Sequence, residues 1–265
     1  MPAPASPGTT PPIAQLPASA LKLLALTELK LLVRERVGPV YAIGLPLALL
    51  IVFGNIPFYT AHHTSGSFAG RTLLGVYLPV LAAFALAALS FNVVPAVLAG
   101  YREKGVLRRL RTTPVGPARV LAAHLLVTAA TAAVSVATVL LVARLAFAVA
   151  LPRQAGGYVV GFLLAALALL AIGLFIAAAA PNGRVANAAG ATLFYVMMFS
   201  AGLFLPLDAM PPLLRHICRA SPLGAAVQAL SDATDGHMPH LLQLLTLAAY
   251  AVVFGAGAVR LFRWE

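Results

Sequence analysis

LLGVYLPVLAAFALAALSFNVVPAVLA, residues 73–99, carries no charged side chain and stops against YREKGVLRRLRTTPVGPAR, residues 101–119. The first run exceeds the roughly 20 apolar residues that cross a bilayer's hydrocarbon core as a helix. The second is the densest block of charge in a chain that is 61% hydrophobic and 9% charged. Another apolar run starts at Val120, so membrane holds the block at both ends. It reads as a short basic segment that takes an input from a soluble partner and passes it to embedded helices.

Outward from this junction the pattern repeats. A mean hydropathy of +0.94 over 265 residues excludes a soluble domain. The runs are apolar on every side rather than alternating, which points to helices and not to an outer-membrane barrel. Spans are expected at 39–59, 73–99, 120–143, 158–180, 185–205 and 241–259. The fold class is therefore an all-α polytopic membrane protein with six transmembrane helices. Six spans place both termini on one side, and that side holds 13 Lys and Arg against five on the other. The positive-inside rule then makes both termini cytoplasmic. The same bias explains the net charge of +11 without nucleic acid.

Residues 1–19 hold six prolines and no charged side chain, and read as a disordered cytoplasmic tail rather than a secretory signal. Residues 20–265 form the membrane domain. Within it, Leu21–Arg36 suggests an amphipathic helix in the membrane interface, with Lys30 and Arg34 toward lipid phosphates. The alternative is a cytoplasmic extension of the first span. LAFAVALP (145–152) is either an interfacial piece or an extension of the third span, and Pro181-Asn182-Gly183 marks a tight turn. Residues 206–239 hold three of the seven acidic side chains yet are rich in Leu and Ala. Short helices dipping back into the outer leaflet resolve that contradiction, with Pro211 and Pro222 in their first turns.

No phosphate-binding glycine loop, H-E-x-x-H or G-x-S-x-G occurs, so neither ATP hydrolysis nor peptidase or esterase chemistry is expected in this chain. Six histidines lack the carboxylate or cysteine partners of a metal centre, and the lone Cys218 forms no intrachain disulfide. No cofactor is expected. No Asp, Glu, Lys or Arg falls inside a span core, which argues against ion coupling. If something is moved, the energy comes from another chain.

Polar groups within the spans are mild. His124, Thr128, Thr131, Ser135 and Thr138 share one face of the third span, either as a packing seam or as the polar wall of a substrate path. Asn92 precedes Pro95, where it can bond to backbone groups freed by the proline or to a substrate. The fifth span is rich in adaptable side chains, among them Tyr195, Met198 and Phe199.

Three features together resemble the ABC-2 type permeases, the membrane subunits of ABC exporters, with the daunorubicin-type drug exporters as the nearest subgroup. They are the basic interfacial segment, the stretch REKGVLRRLRTTPVGPARVLAAHLL (102–126), and FSAGLFLPLDAMPPLLRHICRASPLGAAVQAL (199–230). Val106 departs from the pattern, since many members carry Thr there. The resemblance implies a drug-efflux permease in a bacterial-type inner membrane. It implies a second copy of the permease and two copies of a separate ABC ATPase, where ATP and Mg bind. The 101–119 segment becomes a coupling helix, with Arg102, Glu103, Lys104, Arg108, Arg109, Arg111 and Pro114 facing the ATPase. Spans two and five line the path at the dimer axis, through Asn92, Tyr195, Met198 and Phe199, with Thr131 and Ser135 as further candidates. The outer re-entrant region contains Pro206, Met210, Pro211, Arg215 and Pro222. Two other readings stand beside it: an exporter of polysaccharide or lipid-linked glycan, and a stand-alone membrane enzyme or assembly factor.

Overall fold

The structure, a computed structural model, describes residues 40–61, 72–106, 117–205 and 210–261. The tail 1–19, the interfacial segment 21–36, Arg108, Arg109, Arg111, Pro114 and Pro206 lie outside those residues. All regular elements described are helices. A π-helical turn, Val40–Gly44, leads into α1 (Leu45–Gly54), followed by one turn, α2 (Pro57–Thr60). Next come α3 (Leu73–Ala88), a π-helical turn Leu89–Val93, and α4 (Val94–Glu103). The chain continues through α5 (Pro117–Phe147), α6 (Ala155–Ala179), α7 (Gly183–Ser200), α8 (Pro212–Ala220), α9 (Pro222–Asp235) and α10 (Leu241–Leu261).

Four helices are long and apolar enough to cross a membrane: Leu73–Glu103, Arg119–Phe147, Ala155–Ala179 and Leu241–Leu261. The stretch expected at 39–59 is broken. Asn55 closes α1, its amide donating to Ile51 O at 2.8 Å, and Pro57 starts α2. The apolar helix Ala42–Gly54 is thus shorter than a full span. The stretch expected at 185–205 is the 18-residue α7, whose first half carries Arg184 and Asn187.

The α3–α4 rod is the most enclosed of the four apolar helices, packed by α5, α6, α7 and α9. Its alanines, Ala82, Ala83, Ala85, Ala87 and Ala88, are all buried. In lipid the helices gain nothing by hiding apolar surface from water, so small residues that allow close packing decide which face turns inward. α10 lies along α6 and leaves Leu242, Val252 and Val259 exposed, an apolar face suited to lipid.

Residues 145–147 prove to be helix extension, and α5 ends just past them. Ala148 takes a left-handed conformation (φ 52°), and the Val149 N–H reaches back to Ala143 O at 3.1 Å. This back-bond, six residues long, closes the helix end, with alanine in the left-handed position that glycine usually takes. The turn after α6 is tight as expected, and Asn182 Oδ1 caps α7 through Val185 N at 2.9 Å.

The 206–239 connection does contain two short helices. Pro222 occupies the first turn of α9, but Pro211 is one residue early, as the N-cap of α8, with Pro212 inside the helix. Ser221 Oγ accepts from Gly224 N at 3.0 Å and fixes the corner between them. α9 packs against α6, α10 and α3, whereas α8 exposes Leu213 and Ile217.

Candidate functional site

The described start of the charged block is built into the bundle. Arg102 sits in the last turn of α4. Its Nη2 donates to Ala180 O and its Nη1 lies 3.5 Å from Ala178 O. These carbonyls end α6 and have no partner further along that helix. The neighbouring Glu103 accepts from Gly183 N through Oε1 at 2.7 Å, at the start of α7. One dipeptide therefore places a cation on a helix C-terminus and an anion on a helix N-terminus, each matching the local dipole. α4 stops immediately afterwards: Gly105 has φ 64° and its N–H bonds Arg102 O at 3.0 Å. Lys104 is exposed beside this clasp.

Midway along the rod, Pro95 has no N–H to offer the carbonyl four residues back, on Phe91. The helix widens there, and the Val94 N–H bonds Leu89 O instead. The displaced Ser90 and Phe91 carbonyls press into two neighbouring helices at Gly173 of α6 and Gly190 of α7, where a Cβ would collide with each carbonyl. Asn92 Nδ2 donates to Ala88 O at 3.2 Å, so the side chain serves the widened turn's own backbone. The Ser90 hydroxyl is buried with no hydrogen-bond partner among the described residues.

The other in-membrane candidates separate. On α7, Tyr195 and Phe199 are exposed, with Arg184, Ala188 and Thr192 on the same face. Met198 points the other way: it is 1% exposed and belongs to the core near Phe194, whose ring lies 5.4 Å from Phe84. The third-span hydroxyls are all engaged by backbone. Thr128, Thr131 and Thr138 donate to the carbonyl four residues back at 2.8 Å, and Ser135 donates to Ala42 O of the first π-helical turn.

At the end of the bundle remote from Arg102, Arg215 Nη2 holds the buried Met210 by its carbonyl at 2.9 Å. Cys218 is buried at the α8–α9 corner, and burial pushes its thiol pKa up. Beside it opens a cavity of about 310 Å³. One wall is Val76, Tyr77 and Val80 of α3; the other is Gln228, Ser231 and Asp232 of α9. Gln243 of α10 donates to Asp232 Oδ2 at 2.8 Å, and His240 Nε2 lies 3.9 Å from the same oxygen.

Sequence reasoning did not find the glycine notches, the α4 clasp or this cavity. Gly173 and Gly190 were visible as glycines inside apolar helices, the usual sign of close backbone approach, yet nothing in the pattern paired them with Pro95. A family model described as ABC-2 type transporter matches residues 19–234, from ahead of α1 into the last turn of α9. Comparison with curated proteins gives no match.

Proposed function

The chain belongs to the ABC-2 type transporter family, and from that premise we propose that it is the permease of an ATP-driven exporter. It is an integral membrane protein and the transport component, not the catalytic one. In our reading two copies pair with two copies of a separate ATPase in a bacterial-type inner membrane. The charged block faces the cytoplasm, and the cargo is a hydrophobic, drug-like or lipid-like molecule.

The observation that carries the reading is the attachment of Arg102 and Glu103 to the turn between α6 and α7. A permease without its own energy source needs a docking surface that cannot move without moving its helices. The residues beyond Val106, including Arg108, Arg109, Arg111 and Pro114, supply that surface, and the clasp passes its displacement to three helices at once. Lys104, exposed at the junction, joins the docking face.

The exposed face of α7 supports the assignment of the path. Arg184, Thr192 and Tyr195 are poor company for acyl chains. A second copy covers that face, and Tyr195 and Phe199 contact cargo at the junction. Asn92 keeps the adjoining widened turn in shape, while Met198, Thr131 and Ser135 support the wall from behind. The short helices α8 and α9, held by Arg215, Met210 and the Pro211 and Pro222 helix starts, close the outer end.

Co-reconstitution with the ATPase in proteoliposomes tests this. Charge reversal at Arg108 and Arg109 is expected to abolish ATP-dependent cargo movement while the chain still inserts. Full transport in that variant would sink the coupling assignment.

A further inference from the structure

The cavity between α3 and α9 has a division of labour that the transport reading does not use. Gln228, Ser231, Asp232 and Asp235 recur at helical spacing along one face of α9 and line it together. Gln228 Nε2 is committed to two backbone carbonyls, Arg219 O at 3.2 Å and Gly224 O at 3.0 Å. Its Oε1 is therefore left as an acceptor. Asp232 is anchored through Oδ2 alone, by Gln243 and with His240 nearby, which leaves Oδ1 as a second acceptor. Ser231 Oγ adds a third on the same wall. The Asp232 side chain keeps 26% of its surface accessible, so a ligand can reach it. The charged and titratable side chains of the lining are Asp232, Asp235, Arg219 and His240, with the Asp232 carboxylate on the α9 wall. The opposite wall is Val76, Val80 and the ring of Tyr77. Acceptors and negative charge on one side, with apolar and aromatic surface on the other, complement a single kind of molecule.

We propose that this cavity binds an organic cation with a primary or secondary ammonium group and an aryl or short alkyl body. The ammonium donates to Asp232 Oδ1, Gln228 Oε1 and Ser231 Oγ, and the apolar body lies on α3. At about 310 Å³ the space suits one ring and a short chain, the lower end of small-molecule sites. Binding stands on the cavity alone. Its use as a stop on the export path rests on the exporter reading.

The test uses the full chain in phosphatidylcholine nanodiscs, with 4-phenylbutylamine as the probe and 4-phenylbutanol as its uncharged counterpart. Equilibrium dialysis against empty discs is expected to show saturable amine binding, with the alcohol at least about tenfold weaker, because a charge-assisted hydrogen bond is lost. Asp232→Asn keeps an acceptor for Gln243 and removes the charge, so it is expected to weaken amine binding by about tenfold or more. Ser231→Phe fills the cavity without touching the carboxylates and is expected to abolish binding at an unchanged unfolding temperature. Equal affinity for amine and alcohol, or unchanged amine binding in either variant, overturns the site. If Asp232→Asn fails to fold, Ser231→Phe decides alone. Amine binding without ATP-driven flux in the co-reconstituted system would count against the exporter reading and leave the site standing.

Discussion

Replacing Gly190 by alanine isolates the widened turn. The added Cβ would meet Phe91 O far inside van der Waals contact and would lie 3.1 Å from Phe91 C and 3.6 Å from Pro95 Cγ. Because a carbon rarely approaches a carbonyl oxygen closer than about 3.3 Å, α7 must retreat by roughly 1 Å or more. No rotamer change relieves a clash with backbone. Overpacking typically costs about 1–3 kcal/mol, and this rigid case falls at or above the upper end. A chain of this size loses about 2–4 °C per kcal/mol, so unfolding is expected about 6–12 °C earlier. Cys218 is the only cysteine and is buried, so a fluorogenic maleimide reads unfolding directly. Gly100→Ala is the control, since nothing lies within 4 Å of its added Cβ; it is expected to be neutral or stabilising by up to about 1 kcal/mol. Pro95→Ala restores an N–H that can bond Phe91 O, so the double variant is expected to recover at least about 1 kcal/mol relative to additivity. If Gly190→Ala unfolds no earlier than Gly100→Ala, or the double variant is strictly additive, the displaced carbonyl is not what the glycine accommodates.

Ala148→Gly relieves the left-handed strain at the end of α5 and is expected to stabilise by up to about 1 kcal/mol in the same assay; a lower unfolding temperature would contradict the left-handed closure of α5. Arg102→Ala strands the carbonyls of Ala178 and Ala180 and is expected to destabilise the isolated chain by about 1–2 kcal/mol. A residue serving only a partner would leave that value unchanged. Cys218, with its thiol pKa raised by burial, holds less thiolate at any given pH than an ordinary cysteine. Maleimide labelling of the folded chain at pH 7 is therefore expected to be far slower than labelling after denaturation.

The apolar runs made the helices legible because lipid forces every backbone polar group into internal hydrogen bonds. The same environment hid which face each helix buries. Tyr195 and Met198 are three residues apart and similarly apolar, yet one is exposed and the other is core. Where lipid and protein interior are equally apolar, a hydrophobic pattern cannot separate them. The expected first span runs past the end of α1 because residues 55–56 are not charged, although Asn55 and Pro57 together end a helix. Pro95 announced a disturbance, but the direction of its freed carbonyl depends on glycines about 80 and 95 residues later in the chain, beyond any local window. The resemblance implies that Arg102 and Glu103 face the ATPase. Their partners are backbone atoms, which no residue pattern displays.

That last feature makes the junction's tolerance to change lopsided. Arg102 and Glu103 recognise two carbonyls and one N–H, all of them backbone groups of the turn. The clasp itself therefore asks of residues 178–183 only backbone atoms, with an N–H at position 183 that proline would remove, while Asn182 is fixed by its cap on α7 and Ala178 and Ala180 by burial. The two charged residues have no such latitude, because the shape and sign of each side chain is the whole of its recognition. The clasp thus reads the turn as peptide, and what fixes the turn's own side chains lies elsewhere, in the cap on α7 and in the core.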